Sequence, residues 1–378
     1  MKIEIRKVST KKEIKQFIDF PHALHQDDPH YVPEIYLGQK DIHDQSKNPY
    51  FRHAKAQLFT AWKGVEIVGR IAAHMSSNYN SYHNSNIGFF GFYDVVDDLE
   101  VSKELVNSAI AWLRSENAER VLGPSSYSLT TDTGGLLVDG FDSRPLIMMT
   151  YNPRYYKDHL EACGFRKEMD LFAFEILTKD ASEKSLKLKD LLVARLERNN
   201  GITIRNMSAK RFQEEINSLK HVYAEAWQDN WGFVPPTDEE LSHLGSEMKM
   251  IVDTDFVYIA EKDGVPVGFS VTLPDINEIT KDFKRGRLFP FNVFKLLLRK
   301  KKVKRVRIAL LGILNEYRNK GIEAVFYALN IAQAKEKNLI GGEASWILEN
   351  NQEMVKGAEK LNGRKYKTYR IYSQDING

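Results

Sequence analysis

Residues Arg305–Gln333, RVRIALLGILNEYRNKGIEAVFYALNIAQ, decide the fold. The apolar run Ile308–Leu314 reads as a strand, Arg318-Asn-Lys-Gly-Ile-Glu323 interrupts it with glycine and charge, and the residues beyond read as a helix. A strand that passes through such a turn into a helix presents the helix N-terminus to whatever lies beyond the sheet. The first backbone N–H groups there have no intrahelical acceptor, and with the helix dipole they form a site for an anion. Gly321 permits close approach to the backbone, and Arg318 and Lys320 add positive charge.

Outward from this stretch the chain repeats itself. Ile3-Glu-Ile-Arg-Lys-Val-Ser-Thr-Lys-Lys12 returns as Ile202-Thr-Ile-Arg-Asn-Met-Ser-Ala-Lys-Arg211, 199 positions later and with five of ten residues identical. At the same offset LFTAWKGVEIVG (58–69) becomes VYIAEKDGVPVG (257–268), each a strand, a tight turn and a strand, and Cys163-Gly-Phe165 becomes Asn362-Gly-Arg364. Between these anchors the offset grows to 221, because helix Leu105–Asn117 resembles Phe326–Asn338. Insertions of similar size therefore sit around Asp282–Lys304 in the second copy and Gly123–Pro145 in the first. The Lys-, Glu- and Leu-rich segment after Leu177 has helical spacing and reads as a linker. The expected organisation is a first domain at 1–177, a linker with an amphipathic helix at 178–200 and a second domain at 201–378.

Within each copy the order is strand, helix pair, hairpin, strand, helix, strand, helix, strand, which predicts an α/β fold on a mixed sheet. The strand followed by R-x-x-G and a helix resembles the acyl-CoA motif of the GNAT superfamily of N-acyltransferases, and the repeat implies two tandem GNAT folds. Over nearly its full length the chain also resembles a family of bacterial tandem GNAT-like proteins. That likeness rests on Asp28-Pro-His-Tyr-Val-Pro33, Asn48-Pro-Tyr-Phe51, Gly88-Phe-Phe-Gly-Phe92, GGLLVDG (134–140), Asn230-Trp-Gly-Phe-Val-Pro235 and Leu273-Pro-Asp-Ile-Asn277. The family has no firmly assigned substrate, so the resemblance implies fold and class and leaves the reaction open.

The GNAT resemblance implies an acyl-CoA, such as acetyl-CoA, held in the second copy by Ile313, Leu314, Arg318, Asn319, Lys320, Gly321, Ile322 and Glu323, with Asn351 capping the next helix. In the first copy no R-x-x-G stands in the corresponding stretch, 92–105, so that copy is expected to lack the cofactor loop. Two departures stand out. Glu323 occupies the place of a glycine or alanine, so a working pyrophosphate cradle requires its carboxylate to aim outward. The tyrosine that protonates the leaving thiolate in GNAT enzymes is also missing, its place falling near Ala358 or Glu359, whereas the first copy has Tyr155 and Tyr156. Glu343 and Asp275, on or just past strands, are candidate general bases; Trp231, Asn277 and Asp132 are candidate substrate contacts. The implied reaction is direct attack of a small amine or protein amine on the thioester, with no covalent enzyme intermediate. Two alternatives stay open: an aminoacyl-tRNA-dependent transferase, to which the basic run Lys295–Arg307 would be suited, and a non-catalytic acyl-CoA or metabolite-binding protein.

Composition narrows the rest. With 42% hydrophobic and 28% charged residues and a net charge of +3, the chain has a soluble globular composition, and its overall field does not argue for nucleic acid. A lone cysteine, Cys163, excludes an intrachain disulfide or multi-cysteine metal site and fits a reducing compartment. His22, His25, Asp27, Asp28, His30, His43 and His53 cluster in sequence but lack a ligand-spaced helix, so no metal is expected. No apolar run is long enough to span a bilayer and the first residues alternate like a strand, so a cytoplasmic protein without a membrane partner is expected.

Overall fold

The computed structural model describes residues 2–128, 134–180 and 183–377. Alternating apolar residues put β1 (Ile3–Val8), β2 (Ala54–Lys63), β3 (Glu66–Ser76) and β4 (Ile87–Val95) into an antiparallel meander, to which β5 (Arg120–Gly123) adds in parallel. Around it lie α1 (Lys11–Leu24), α2 (Tyr36–Ile42), α3 (Ser77–His83), α4 (Leu99–Ser115), a short strand β6 (Leu136–Asp139) and α5 (Tyr155–Ala162), followed by β7 (Arg166–Leu177). After α6 (Glu183–Asn200) the same program restarts. Strands β8 (Ile202–Asn206), β9 (Val257–Lys262), β10 (Val265–Pro274) and β11 (Arg305–Ile313) run antiparallel in turn, and β12 (Gly341–Leu348) joins β11 in parallel. The helices here are α7 (Phe212–Trp227), α8 (Asp238–Met248), α9 (Asn277–Thr280), α10 (Asn292–Arg299), α11 (Ile322–Glu336) and α12 (Gln352–Lys360), and β13 (Arg364–Asp375) closes the chain. Five strands in identical order and direction in each half are what the 199-residue repeat requires. Local chemistry agrees: Asp263 and Gly264 take φ of 51° and 78°, the positive-φ pair that a two-residue hairpin needs.

Two compact units result. The first comprises Met1–Leu171, Thr280–Lys295 and Lys367–Gly378, and the second Phe172–Ile279 and Leu296–Tyr366. In the first, the sheet order is β1-β2-β3-β4-β5-β13, with β6 also on β13. One face packs Phe59, Ile71 and Phe90 against Val101, Leu105, Ala109 and Leu113 of α4; the other packs Leu58, Ala72 and Phe92 against Phe17, Tyr50 and Tyr127. In the second the order is β7-β12-β11-β10-β9-β8. Phe256, Val306, Ala334 and Leu339 join its sheet to α11, and Phe174, Ala344, Ile347 and Ala358 join it to α12. The Asp282–Lys304 insertion forms α10 and its flanks, and Gly123–Pro145 contains β6, so each falls between the elements where the shifted offset puts it.

Candidate active site

The parallel ladder between β11 and β12 holds for four rungs, from Arg305 opposite Gly341 to Ile308 opposite Ala344. Both strands run on beyond it, β11 to Ile313 and β12 to Leu348, so a wedge opens between them. A bulge marks its mouth: Val271 faces Leu310 and Thr272 faces Ile308, which leaves Ala309 as an extra residue on β11. Such a residue drops out of the ladder and bends its strand. Ile308, Ala309, Leu310 and Leu311 are accordingly half-buried, an apolar wall with access from one side.

Past the wedge, Ile313 and Leu314 are buried beneath the turn that leads to α11. Asn319 and Gly321 both adopt left-handed backbone, with φ of 59° and 93°. Gly321 is the N-cap of α11, and no side chain caps the helix. A Cβ at Gly321 would meet nothing within 4 Å, so the backbone there is open to approach. Arg318 donates to the carbonyl of Ala226 at 3.1 Å, and Lys320 lies over the Tyr317 ring at 4.5 Å. Both cations brace the turn while remaining exposed. Glu323 takes a third course between outward and inward. It is half-buried; burial raises its pKa and Glu353 adds to that, while its own backbone N–H and Arg318 oppose it.

The first unit shows the corresponding helix end closed. Asp98 accepts from the N–H groups of Glu100 and Val101 at 3.1 and 3.3 Å and pairs with Lys63, so a carboxylate supplied by the chain fills the anion position. Tyr155 donates to the carbonyl of Val95 at 2.7 Å, and the Tyr156 hydroxyl accepts from the Val95 N–H at 3.0 Å. The two phenols tie down the end of β4, leaving α4 without an open cradle like that before α11.

Glu343 is buried on the rung opposite Arg307, one short of the wedge. Ser345 and Tyr366 hydroxyls donate to its two oxygens, and Arg307 Nε lies 3.8 Å away while donating to Ser345 Oγ at 2.8 Å. Arg307, Ser345 and Tyr366 were not singled out in the sequence; a parallel pairing between residues 36 positions apart leaves no local pattern. Asp275, fully buried, donates its N–H to the carbonyl of Arg305 at 2.9 Å. It lies two strand residues, ~7 Å, further from the wedge than the Arg307–Glu343 rung. Asn351 caps α12 by accepting from Met354 N–H at 3.1 Å. On α11, the Tyr327 hydroxyl reaches the sulfur of Met354, in the first turn of α12, at 3.7 Å. Trp231 is half-buried in the α7–α8 connection, Asn277 starts α9, and Asp132 lies outside the described residues. Both Trp227 and Phe233 pack on Tyr223: half-buried Trp227 stacks on its ring at 4.7 Å between centroids, and buried Phe233 lies tilted to it at 6.2 Å. Of the early histidines, His25 bonds Asp94, His22 bonds Tyr31 and His43 bonds Tyr127; among the described residues no three potential ligands gather as a metal would need.

Beside the wedge, α7, α8 and the sheet enclose an apolar crevice lined by Ile216, Leu219, Leu241, Leu244, Phe269 and Leu310. Leu310 belongs to both: it stands on the free part of β11 and on the crevice wall.

No family model matches the chain. It is 36% identical to Protein YghO of Escherichia coli over 380 residues, covering 98% of this chain and 95% of that protein. It is 33% identical over 378 residues to the bacterial ceramide synthase of Caulobacter vibrioides, covering 98% and 96%. Among solved structures, a tandem GNAT protein from the clavulanic acid biosynthesis pathway superposes with a TM-score of 0.59 at 9% identity, covering 100% of this chain and 99% of that one. A GCN5-related N-acetyltransferase from Sphaerobacter thermophilus gives 0.55 at 12%, covering 100% and 96%. These structural likenesses carry the fold, and the full-length identities carry the kinship: the chain is a tandem GNAT-like protein and belongs to the family of YghO and the bacterial ceramide synthase.

Proposed function

We propose that the chain is an acyl-CoA-dependent N-acyltransferase that holds its thioester in the wedge of the second GNAT-like half, 201–378, and passes the acyl group to an amine on a long-chain molecule. The observation that carries this reading is the wedge itself, a ladder that ends at Ile308 and Ala344 beside the uncapped N-terminus of α11. The pyrophosphate of CoA lies against the N–H groups of Ile322 and its neighbours, with Arg318 and Lys320 swinging to it from their resting contacts. The thioester carbonyl points at the strand backbone near the Ala309 bulge. The amine nitrogen attacks that carbon, the C–S bond breaks, and the nitrogen sheds a proton as the thiolate leaves. Glu343 receives the proton through Ser345 or Tyr366, which already hold its oxygens; Asp275 is the second candidate, and Tyr327 the candidate donor to the thiolate.

The acceptor class draws on two supports. One relative is named a ceramide synthase, and a ceramide is the amide of a fatty acid with a long-chain amino alcohol. The crevice that shares Leu310 with the wedge is lined almost wholly by apolar side chains, the chemistry that an alkyl chain entering it would meet. The test is incubation with acyl-CoA and long-chain bases, with free thiol and amide product followed together. Glu343→Gln is expected to lower turnover about 100-fold or more while acyl-CoA still binds. Thiol release that is indifferent to the amine, or no acyl-CoA binding at all, overturns the reading. One observation favours the non-catalytic alternative: Glu323 rests on the helix end that the pyrophosphate needs.

A further inference from the structure

Five of the twelve large apolar side chains exposed among the described residues fall within ten positions: Phe289, Phe291, Phe294, Leu297 and Leu298. Phe291, Phe294, Leu297 and Leu298 follow helical spacing, so α10 and the residue before it carry them as one outward stripe, while Leu296 is buried on the inward side. Phe291 is 78% exposed and Leu298 75%, values that a folded core does not explain. The charge around them is one-sided. Between Lys284 and Lys304 stand nine Lys or Arg and no Asp or Glu, in a chain whose net charge is only +3. Several of these cations have local partners, among them Lys295 with Asp282 at 3.3 Å and Lys300 with the carbonyl of Met250 at 3.1 Å. Arg299, Lys301 and Lys302 are exposed at the end of the stripe.

We propose that this segment, 284–302, docks the protein on the surface of an anionic lipid bilayer, the aromatic and leucine side chains entering the headgroup boundary and the flanking cations meeting the lipid phosphates. An amphipathic helix with a cationic rim lies in the interface plane without spanning it. No described helix is long and apolar enough to cross a membrane, and docking of this kind needs none. A second copy of the chain is a poorer occupant, since nine like charges would face nine. Single-stranded nucleic acid would use the cations and the aromatic rings but leave Leu297 and Leu298 without a role. The inference stands apart from the acyltransferase reading, because it rests on side chains outside the wedge.

The experiment is flotation of the full-length protein with vesicles of phosphatidylcholine alone and of phosphatidylcholine with phosphatidylglycerol. Binding to the anionic vesicles, weakened by salt, is expected. The triple variant F291S/F294S/L298S is expected to lose it, and R299Q/K301Q/K302Q to weaken it about tenfold or more. All substituted side chains are exposed, so both variants should keep the wild-type circular dichroism and acyl-CoA titration. No flotation with either vesicle, flotation unchanged in the serine variant, patch-dependent self-association in size-exclusion chromatography, or binding to a single-stranded oligonucleotide alone would each overturn the proposal.

Discussion

At the N-terminus of α11 two residues set opposite conditions for an anion: Gly321 adds no side chain, and Glu323 brings a carboxyl into the first turn, near its own N–H. Because the Glu323 pKa is raised, the carboxyl becomes neutral on acidification earlier than a free glutamate does, and CoA affinity should rise as pH falls through that pKa. Glu323→Gln should bind CoA more tightly at neutral pH and remove this part of the pH dependence; titration calorimetry of both proteins at low salt compares the slopes. Equal affinity and equal slope would mean that Glu323 does not contend for the phosphate. Buried histidines of the first unit give a second residue-scale prediction. His74 accepts from Tyr50 OH at 2.7 Å and donates to the carbonyl of Ser125 at 3.2 Å, and burial pulls its pKa down to about 3, with that carbonyl bond opposing. His43 is pulled to about 3 and His22 to about 4, burial again the largest cause. Their folded values lie below the unfolded one of about 6.5, so between these limits the unfolded chain binds protons that the folded chain refuses. Stability from these groups is present above about pH 6.5 and is lost as pH falls, by up to about 1.4 kcal/mol per pH unit for each histidine. His74→Gln should lessen that slope by one proton's worth in denaturant titrations at several pH values, even if the variant is less stable throughout.

Among the elements, α4 and α11 occupy equivalent places in the two halves and differ at their first residue, Asp98 as cap in one and Gly321 in the other. Asp98→Ala should cost about 1 kcal/mol of stability through the lost cap, and more if Lys63 is left without a new partner. It should not give the first unit affinity for CoA, because Tyr155 and Tyr156 still hold the end of β4; thermal denaturation and calorimetry check the two halves of that statement. The strand, turn and helix at 305–333 were legible because each has its own residue chemistry: apolar run, glycine with charge, then a helix former sequence. The place where the wedge opens was not, since a ladder stops there and no residue type marks the rung at Ile308 and Ala344 as the last. Arg307, Ser345 and Tyr366 around Glu343 were hidden for the same reason: which side chains surround a buried carboxylate depends on the register of strands far apart in sequence. The exposed stripe on α10 was visible only as a basic run with leucines, because spacing alone does not tell which face of a helix the fold covers.

For the whole molecule the repeat told which elements recur, and the structure adds where the last of them serves. Strands β7 and β13 are counterparts, Arg166 and Lys365 standing 199 positions apart, yet residues 367–378 belong to the first compact unit and 172–177 to the second. Sequence similarity identifies a strand but carries no statement of the sheet it will join. A consequence follows for a chain ending at Tyr366. It lacks the pairing of Tyr372–Asp375 with Gly123–Arg120, the bonds from Arg370 to both oxygens of Asp170 at 2.8 and 3.0 Å, and the bond from Arg114 to the carbonyl of Ile376 at 2.8 Å. It also lacks Tyr369, Ile371, Tyr372 and Ile376, all buried. At about 1.5–3 kcal/mol for each fully buried large side chain, this loss is of the same order as the roughly 5–15 kcal/mol that stabilises a whole domain. Removing 367–378 is therefore expected to unfold residues 1–171 cooperatively, together with the protected histidines among them. Hydrogen exchange of the truncated and full-length chains, read by peptide mass, distinguishes the cases: exchange throughout β2, β3 and α4 is the expected result, and protection kept in those elements would mean that the first unit holds without its last strand.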